Sequence, residues 1–452
     1  MARRLGILTG CERVMLALAL VMAATPGWAA SLIRDAETEA MVREIANPIF
    51  TAARLDPESI DIYLVNDPKL NAFVAGGQNL FLNTGLIMRA DSPDELAGVV
   101  AHETGHIAGG HLSRTQQAAQ SAGLSMLAGV LLGAAAAVAG APELGTAIMA
   151  GGATVGERGF LKFSRSQEQA ADQAAVTYLR SLEMSPEGLL EFFRVLESQN
   201  LRINADGSEY LRTHPLTRDR IAFLEQQVAE SPYRDRRADP ALTADYARVV
   251  AKLDGFLSNP AQVLRRRTGE DVPDRYARAI AYYRLPDLDR ALALVDGLIA
   301  EFPEDPYFHE LKGQILFENG RIQESIGPNR EALRYRPDSA LIRFGLARAL
   351  LESGDPKAVD EAAALLREVV RLEPGSPGAW RFLGIAEGRR GREGASALAL
   401  TEQAVLVRNR KDAQLYLRRA EQHIGPGDPD WVRLQDLGRA VEELEDAPRR
   451  RR

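Results

Sequence analysis

The run His102-Glu103-Thr104-Gly105-His106 holds the residues best suited to chemistry in this chain. On a helix, an i, i+4 spacing puts both imidazoles on one face, where they can grip a single ion. Zinc suits neutral imidazole, and Glu103, next to the first histidine, is placed to take a proton from metal-bound water. A catalytic zinc centre needs a third protein ligand and an open position. Two candidates follow in the chain. His111 stands one residue short of the last histidine of an HExxHxxGxxH arrangement, where Leu112 is found, so that register fails. Glu168 lies on a second predicted helix, and Asp172 at i+4 shares its face. Glu168 is therefore read as the third ligand of one zinc per chain. Asp172 then accepts the free ring N–H of His102 or His106 and fixes its tautomer.

These residues need elements to hold them. The spacing predicts a helix over Pro93 to Gly109, with Ser92 as N-cap, Pro93 in the first helical position, and Asp94 and Glu95 in the first turn. Gly109-Gly110 ends it. Apolar residues from Arg34 to Ala53 recur at helical spacing and predict a leading amphipathic helix. The runs Ile60 to Val65, Ala72 to Val74 and Asn79 to Asn83, broken by Gly76-Gly77, predict a small antiparallel sheet. Within it, Asn71, Ala72, Phe73 and Val74 offer either a sheet edge to which a substrate strand adds or an ordinary internal strand. Between Ala122 and Ala141 no residue is charged, over about the length that crosses a hydrocarbon core. Its two readings are a buried helical hairpin and a membrane contact.

The ends of the chain read differently. Arg3, Arg4 and Arg13 precede an apolar run from Val14 to Ala24 and then Thr25-Pro26-Gly27-Trp28-Ala29, the order of an export signal cleaved after Ala29. Cys11, the only cysteine, lies inside that segment, so the exported chain needs no disulfides and offers no thiolate as ligand or nucleophile. After about Arg234 a repeat appears: Pro303, Pro337 and Pro374 are spaced 34 and 37, and Ala279, Gly313, Ala347 and Gly384 keep the same register. That period, with Trp380-x-x-Leu383-Gly384, resembles the tetratricopeptide repeat, in which small residues let paired helices approach. The basic run Arg449 to Arg452 reads as a solvated tail. A net charge of −7 over 452 residues gives no electrostatic basis for nucleic acid as a partner.

HExxH followed by Glu168-x-x-Ala171-Asp172 resembles the gluzincins of the HtpX and CAAX-endopeptidase group. Asn71-Ala72-Phe73 with Gly77 and Gly85-Leu86, and downstream Thr213-His214-Pro215 with Arg220-Ile221, are similar to motifs of that group. The resemblance implies His102, His106 and Glu168 as metal ligands and Glu103 as catalytic base. For His214 two roles stay open: donor to the developing oxyanion, or fourth ligand that holds the site inactive. With the export signal and repeats included, the chain resembles the periplasmic β-barrel assembly-enhancing proteases of Gram-negative bacteria. That implies a periplasmic zinc endopeptidase acting on unfolded or misassembled envelope proteins, tied to the outer-membrane assembly machinery through its repeats, with peripheral membrane contact. The rival is a chaperone or scaffold working through the repeats with a latched site.

The expected architecture is mainly α with a small antiparallel sheet. It comprises a signal peptide over 1–29, a metallopeptidase domain over 30–235 with an apolar insertion at 122–155, a helical linker over 236–270, a repeat domain over 271–445 and a basic tail over 446–452.

Overall fold

In the computed structural model, residues 32–111, 114, 164–202 and 209–444 are described. The segment read as an export signal, the apolar run at 122–155 and the basic tail lie outside them. Among the described residues, no helix is long and apolar enough to cross a membrane.

The chain enters through a short strand β1 (Leu32–Ile33) and helix α1 (Ala36–Ala52), whose N-cap Asp35 accepts from the Thr38 amide. Strands β2 (Ile62–Val65), β3 (Ala72–Ala75) and β4 (Asn79–Asn83) follow, then α2 (Thr84–Arg89) and α3 (Pro93–Ala108). The β3–β4 hairpin turns where Gly76 and Gly77 take positive φ, a conformation that costs glycine little. The sheet order is β1-β2-β4-β3. Two of its pairings are antiparallel, but β2 and β4 run parallel, so the sheet is mixed rather than wholly antiparallel. The reason is topological. The chain from β2 crosses to the far edge before forming β3, and the hairpin then returns β4 beside β2 in the same direction. Strand β3 is thereby left as an edge among the described strands, packed against α3.

Helices α4 (164–181), α5 (Glu187–Arg202), α6 (Glu209–Thr213) and α7 (Arg218–Ala229) complete the site-bearing half. One apolar core joins Ile45, Ile49 and Phe50 of α1, Leu64, Leu80 and Leu82 of the sheet, Val99 and Val100 of α3, and Phe192 and Phe193 of α5. Helix α8 (Pro240–Leu257), in the segment read as a linker, also enters this core through Tyr246, Val249 and Leu253. The Tyr246 hydroxyl donates to the Ile87 carbonyl at 2.7 Å.

Beyond α9 (Pro260–Arg266) come antiparallel pairs: α10 (Val272–Arg284) with α11 (Leu288–Glu301), α12 (Pro306–Glu318) with α13 (Ile322–Tyr335), α14 (Ala340–Glu352) with α15 (Ala358–Leu372), and α16 (Pro377–Arg389) with α17 (Glu393–Leu406). Helices α18 (Arg410–Glu421) and α19 (Trp431–Glu443) close the array. The repeating small residues act where helices touch. A Cβ at Gly313 would fall 2.5 Å from Asn329 on α13, and one at Gly384 would fall 2.7 Å from Leu400 on α17.

A buried ionic seam joins the two halves. Glu37 on α1 receives the Tyr276 hydroxyl at 2.9 Å, lies 3.2 Å from the Lys252 ammonium, and is bonded by Arg248. Arg248 reaches on to Asp305 in the repeats at 2.7 Å. Beside it, Ala36 of α1 packs with Tyr307, Ala332 and Ile342. Removing Glu37 takes a carboxylate from two buried cations, leaving Lys252 to Asp35 and Arg248 to Asp305, and leaves the buried Tyr276 hydroxyl without its acceptor. Glu37→Ala should therefore cost about 3–5 kcal/mol, whereas Glu331→Ala, from the exposed pair with Arg334, should cost under about 1 kcal/mol. Denaturation midpoints of the two variants check this.

Glu95, in the first turn of α3, gives a second test. It is 3% exposed, and burial with nearby Asp91 and Glu191 pushes its carboxyl from the usual 4.5 to about 7, against the bond it accepts from the Asp91 amide. As pH rises from about 4.5 to about 7, the unfolded chain releases this proton before the folded one, so the group weakens the fold across that window. Glu95→Gln should be more stable than the parent at pH 8 and lose that gain near pH 4, in denaturation midpoints measured against pH.

Candidate metal centre

The floor of the site is α3. Ser92 caps it by accepting the Glu95 amide at 3.3 Å, and the helix then runs fully buried from Leu96 to Gly105. Its glycines set how closely neighbours approach. A Cβ at Gly105 would lie 2.9 Å from the Ala171 carbonyl of α4, and one at Gly98 would lie 2.5 Å from the Leu189 amide of α5. The first contact brings α4 down onto the histidine face of α3 and carries Glu168 and Asp172 with it. His214 arrives from the other side, at the end of α6, where its amide bonds the Tyr210 carbonyl at 2.7 Å before Pro215 halts the helix.

Four side chains converge: His102, His106, Glu168 and His214 place one ligand-type atom each within 4.8 Å of one another. His102 Nε2 lies 3.1 Å from His106 Nε2 and 3.4 Å from His214 Nδ1. Glu168 Oε2 lies 3.2 Å from His214 Nδ1 and 3.4 Å from His102 Nε2, and Oε1 lies 3.4 Å from His106 Nε2. All four are at least mostly buried. Such a donor set can hold a metal ion.

Around this cluster stands a charged support. Asp172 Oδ1 lies 3.0 Å from His102 Nδ1, so the acceptor faces His102 and not His106. His106 Nδ1 instead lies 3.0 Å from His111 Nδ1, which brings His111 to the rim. Arg220, at the start of α7, grips Asp172 with two bonds of 2.6 and 2.8 Å. It also lies 3.0 Å from Glu168 Oε2, bonds the Pro215 carbonyl at 2.9 Å and stacks 4.7 Å over the Phe193 ring. Tyr210 stacks on His214 with centroids 4.5 Å apart.

The electrostatics follow from burial and these contacts. Burial raises the Glu168 carboxyl, but bonds from His102 and His214 overcome it and hold the group well below the usual carboxylate range. For Asp172, burial is likewise outweighed by Arg220 and His102. Burial lowers His102, yet Asp172 and Glu168 raise it to about 9, while burial and the His102 charge push His106 well below its ordinary value. Glu103 is different. Its carboxyl is fully buried, both oxygens lack a hydrogen-bond partner among the described residues, and burial raises its pKa. It lies 3.5 Å from His214 Nε2.

Residues 33–228 match peptidase family M48, and residues 276–334 match a tetratricopeptide repeat family. The chain carries a family M48 metallopeptidase domain. It is 25% identical to the beta-barrel assembly-enhancing protease of Yersinia pestis over 386 residues, which are 83% of this chain and 78% of that protein. Against the protein of the same name from Escherichia coli K12 it is 24% identical, over 79% and 73%. Among solved structures, a tetratricopeptide protein described as having an unusual peptide-binding site aligns over 39% of this chain and 92% of its own, with 14% identity and a TM-score of 0.33.

The sequence motif of the M48 domain thus converges in space, with His214, Asp172 and Glu103 beside it. Sequence reasoning gave Arg220 no role beyond its motif and gave none to Tyr210 or Phe193. Charge balance could have flagged Arg220, since buried Glu168 and Asp172 on one helix face require a nearby cation. Nothing in the spacing points to Tyr210. Because Arg220 and Asp172 orient His102 from behind, Asp172→Asn and Arg220→Met should each weaken metal affinity by about 10–100-fold, measured by competition with a chelator.

Proposed function

We propose that this chain is a zinc-dependent endopeptidase of the cell envelope, with His102, His106 and Glu168 as metal ligands and Glu103 as general base. The observation that carries the reading is the spacing of the donor atoms. A tetrahedral ion with bonds of about 2.0–2.1 Å holds its ligand atoms about 3.3 Å apart. Neighbouring donor atoms here stand 3.1–3.4 Å apart, counting both Glu168 oxygens, and one atom from each of the four side chains lies within 4.8 Å of the others. Charge supports it as well: three buried carboxylates, Glu103, Glu168 and Asp172, face one buried guanidinium, Arg220, a deficit that one divalent ion cancels. When bound, zinc supplies Lewis acidity for a peptide carbonyl and for water.

The chain's own groups do the rest. Glu103, with two unpartnered oxygens in a dry pocket, takes the proton of the attacking water and returns it to the leaving amine. Edge strand β3, with Asn71, Ala72, Phe73 and Val74, receives substrate as an added strand. Main-chain bonds made there give affinity with little side-chain choice, which suits unfolded clients. Tyr210 and the Arg220 bond to Pro215 seat His214 with Nδ1 toward the other ligands. That orientation favours His214 as a fourth ligand that latches the site, over the oxyanion role.

The order of basic, apolar and small residues before Ala30 supports export to the periplasm with cleavage after Ala29. The names of the relatives, β-barrel assembly-enhancing proteases, support removal of misfolded or stalled outer-membrane proteins, with the repeats meeting the assembly machinery. The latched geometry also favours a second activity, a chaperone or scaffold function through the repeats while the site is closed.

The test is zinc content and cleavage of an unfolded β-rich protein by the exported chain. One zinc per chain is expected. Glu103→Gln should keep the metal and lose turnover by at least about 100-fold, and His106→Ala should lose both. His214→Ala should raise cleavage; a fall would assign it to the oxyanion instead. Normal cleavage by Glu103→Gln would sink the assignment of the base.

A further inference from the structure

The repeats contain one arginine whose surroundings differ from those of its neighbours. Most arginines of this region have carboxylate partners: Arg330 with Glu361, Arg367 with Glu387, Arg390 with Asp360, Arg433 with Glu402. Arg348 has none, and makes no hydrogen bond among the described residues; its Nε is buried without an acceptor. What holds it is aromatic. The guanidinium carbon stands 4.9 Å from the centroid of Phe317, 5.8 Å from Phe344 and 5.7 Å from Phe382. These rings come from α12, α14 and α16, the first helices of three consecutive pairs, and all four side chains are partly exposed. The arrangement therefore spans a face that three repeats share, the kind of surface on which such arrays bind other chains.

We propose that this face captures the free C-terminus of a polypeptide whose last side chain is apolar. A guanidinium held over aromatic rings still presents N–H groups at its edge, and their planar fork matches a carboxylate with two parallel bonds. No carboxylate of the described chain occupies that fork. The three rings around it form an apolar wall, with Phe344 and Phe382 meeting edge to face at 5.4 Å. One chemical unit fits fork and wall together. In a C-terminal residue the carboxylate and the side chain leave the same carbon, so both land within one residue's reach. An aspartate or glutamate side chain offers the carboxylate alone. Charge adds a local selection, because a guanidinium without a carboxylate partner among the described residues attracts an anion at close range. The inference stands apart from the metal chemistry, and gives the repeats a defined ligand class.

The experiment is fluorescence anisotropy with the full exported chain, carrying Glu103→Gln to prevent cleavage, and a labelled ten-residue peptide ending in Phe. The free-acid peptide should bind at least about tenfold more tightly than the same peptide amidated at its C-terminus. An amidated peptide with an internal Glu should bind no better than the plain amide. Arg348→Gln should remove the preference for the acid, Arg348→Lys should keep part of it, and Phe382→Ala should weaken the acid form without abolishing the preference. Equal binding of acid and amide by the unaltered Arg348 chain would overturn the proposal with no need of any repeat variant. So would equal binding of the internal-Glu peptide, or inorganic phosphate displacing the acid peptide at matching concentration, which would indicate an unselective anion site.

Discussion

The close approach of α3 and α4 at Gly105 is the constraint on which the centre depends. A side chain there would collide with the Ala171 backbone, and without that contact Glu168 and Asp172 would not reach the histidines one turn away. Everything charged in the site then follows from burial. Once two carboxylates and three imidazoles lie out of water, each needs a partner of fixed geometry, because an unpaired buried charge costs several kcal/mol. Arg220 answers that need for Asp172 and Glu168 together, and Phe193 beneath it holds its plane.

Among the described residues of the site, Glu103 is the carboxylate whose two oxygens have no hydrogen-bond partner. That is a stability cost the fold bears at a place where chemistry needs it, a common pattern at functional sites. The surrounding architecture keeps the cost local. The sheet, α1 and α5 pack a continuous apolar core behind α3, so the helix that carries the histidines is fixed on its far side by Val99, Val100 and their neighbours. Precision at the site thus comes from a rigid helix on a packed core, and strand β3 beside it is an edge among the described strands.

The second half of the chain is not a tethered appendage. Helix α8 lies in the core of the M48 domain and also packs on α10, while Glu37, Arg248, Lys252 and Asp305 form a buried ionic seam across the junction. Ion pairs of this kind specify an arrangement more than they stabilise it, since hydrophobic replacements of the same shape would hold as well. The seam therefore ties the first repeats to the M48 domain through named contacts of Glu37, Arg248 and Asp305.

The sequence by itself determined the leading helix, the zinc-motif helix and the helix of Glu168, the three strand runs, the repeat period and the motif. These depend on local spacing and residue type: i, i+4 on α3 and α4, short apolar runs broken by glycines, and a period of 34 in the repeats. It also pointed to a hairpin at Gly76-Gly77. Only the tertiary structure decided the sheet order, since whether β2 pairs with β3 or β4 depends on a crossover that no local pattern encodes. The same holds for the choice of His102 over His106 as the partner of Asp172, for the direction in which His214 Nδ1 points, and for the gathering of Phe317, Phe344 and Phe382 around Arg348. Each joins residues far apart in the chain, and which atoms meet is set by how helices pack, a property of the whole fold.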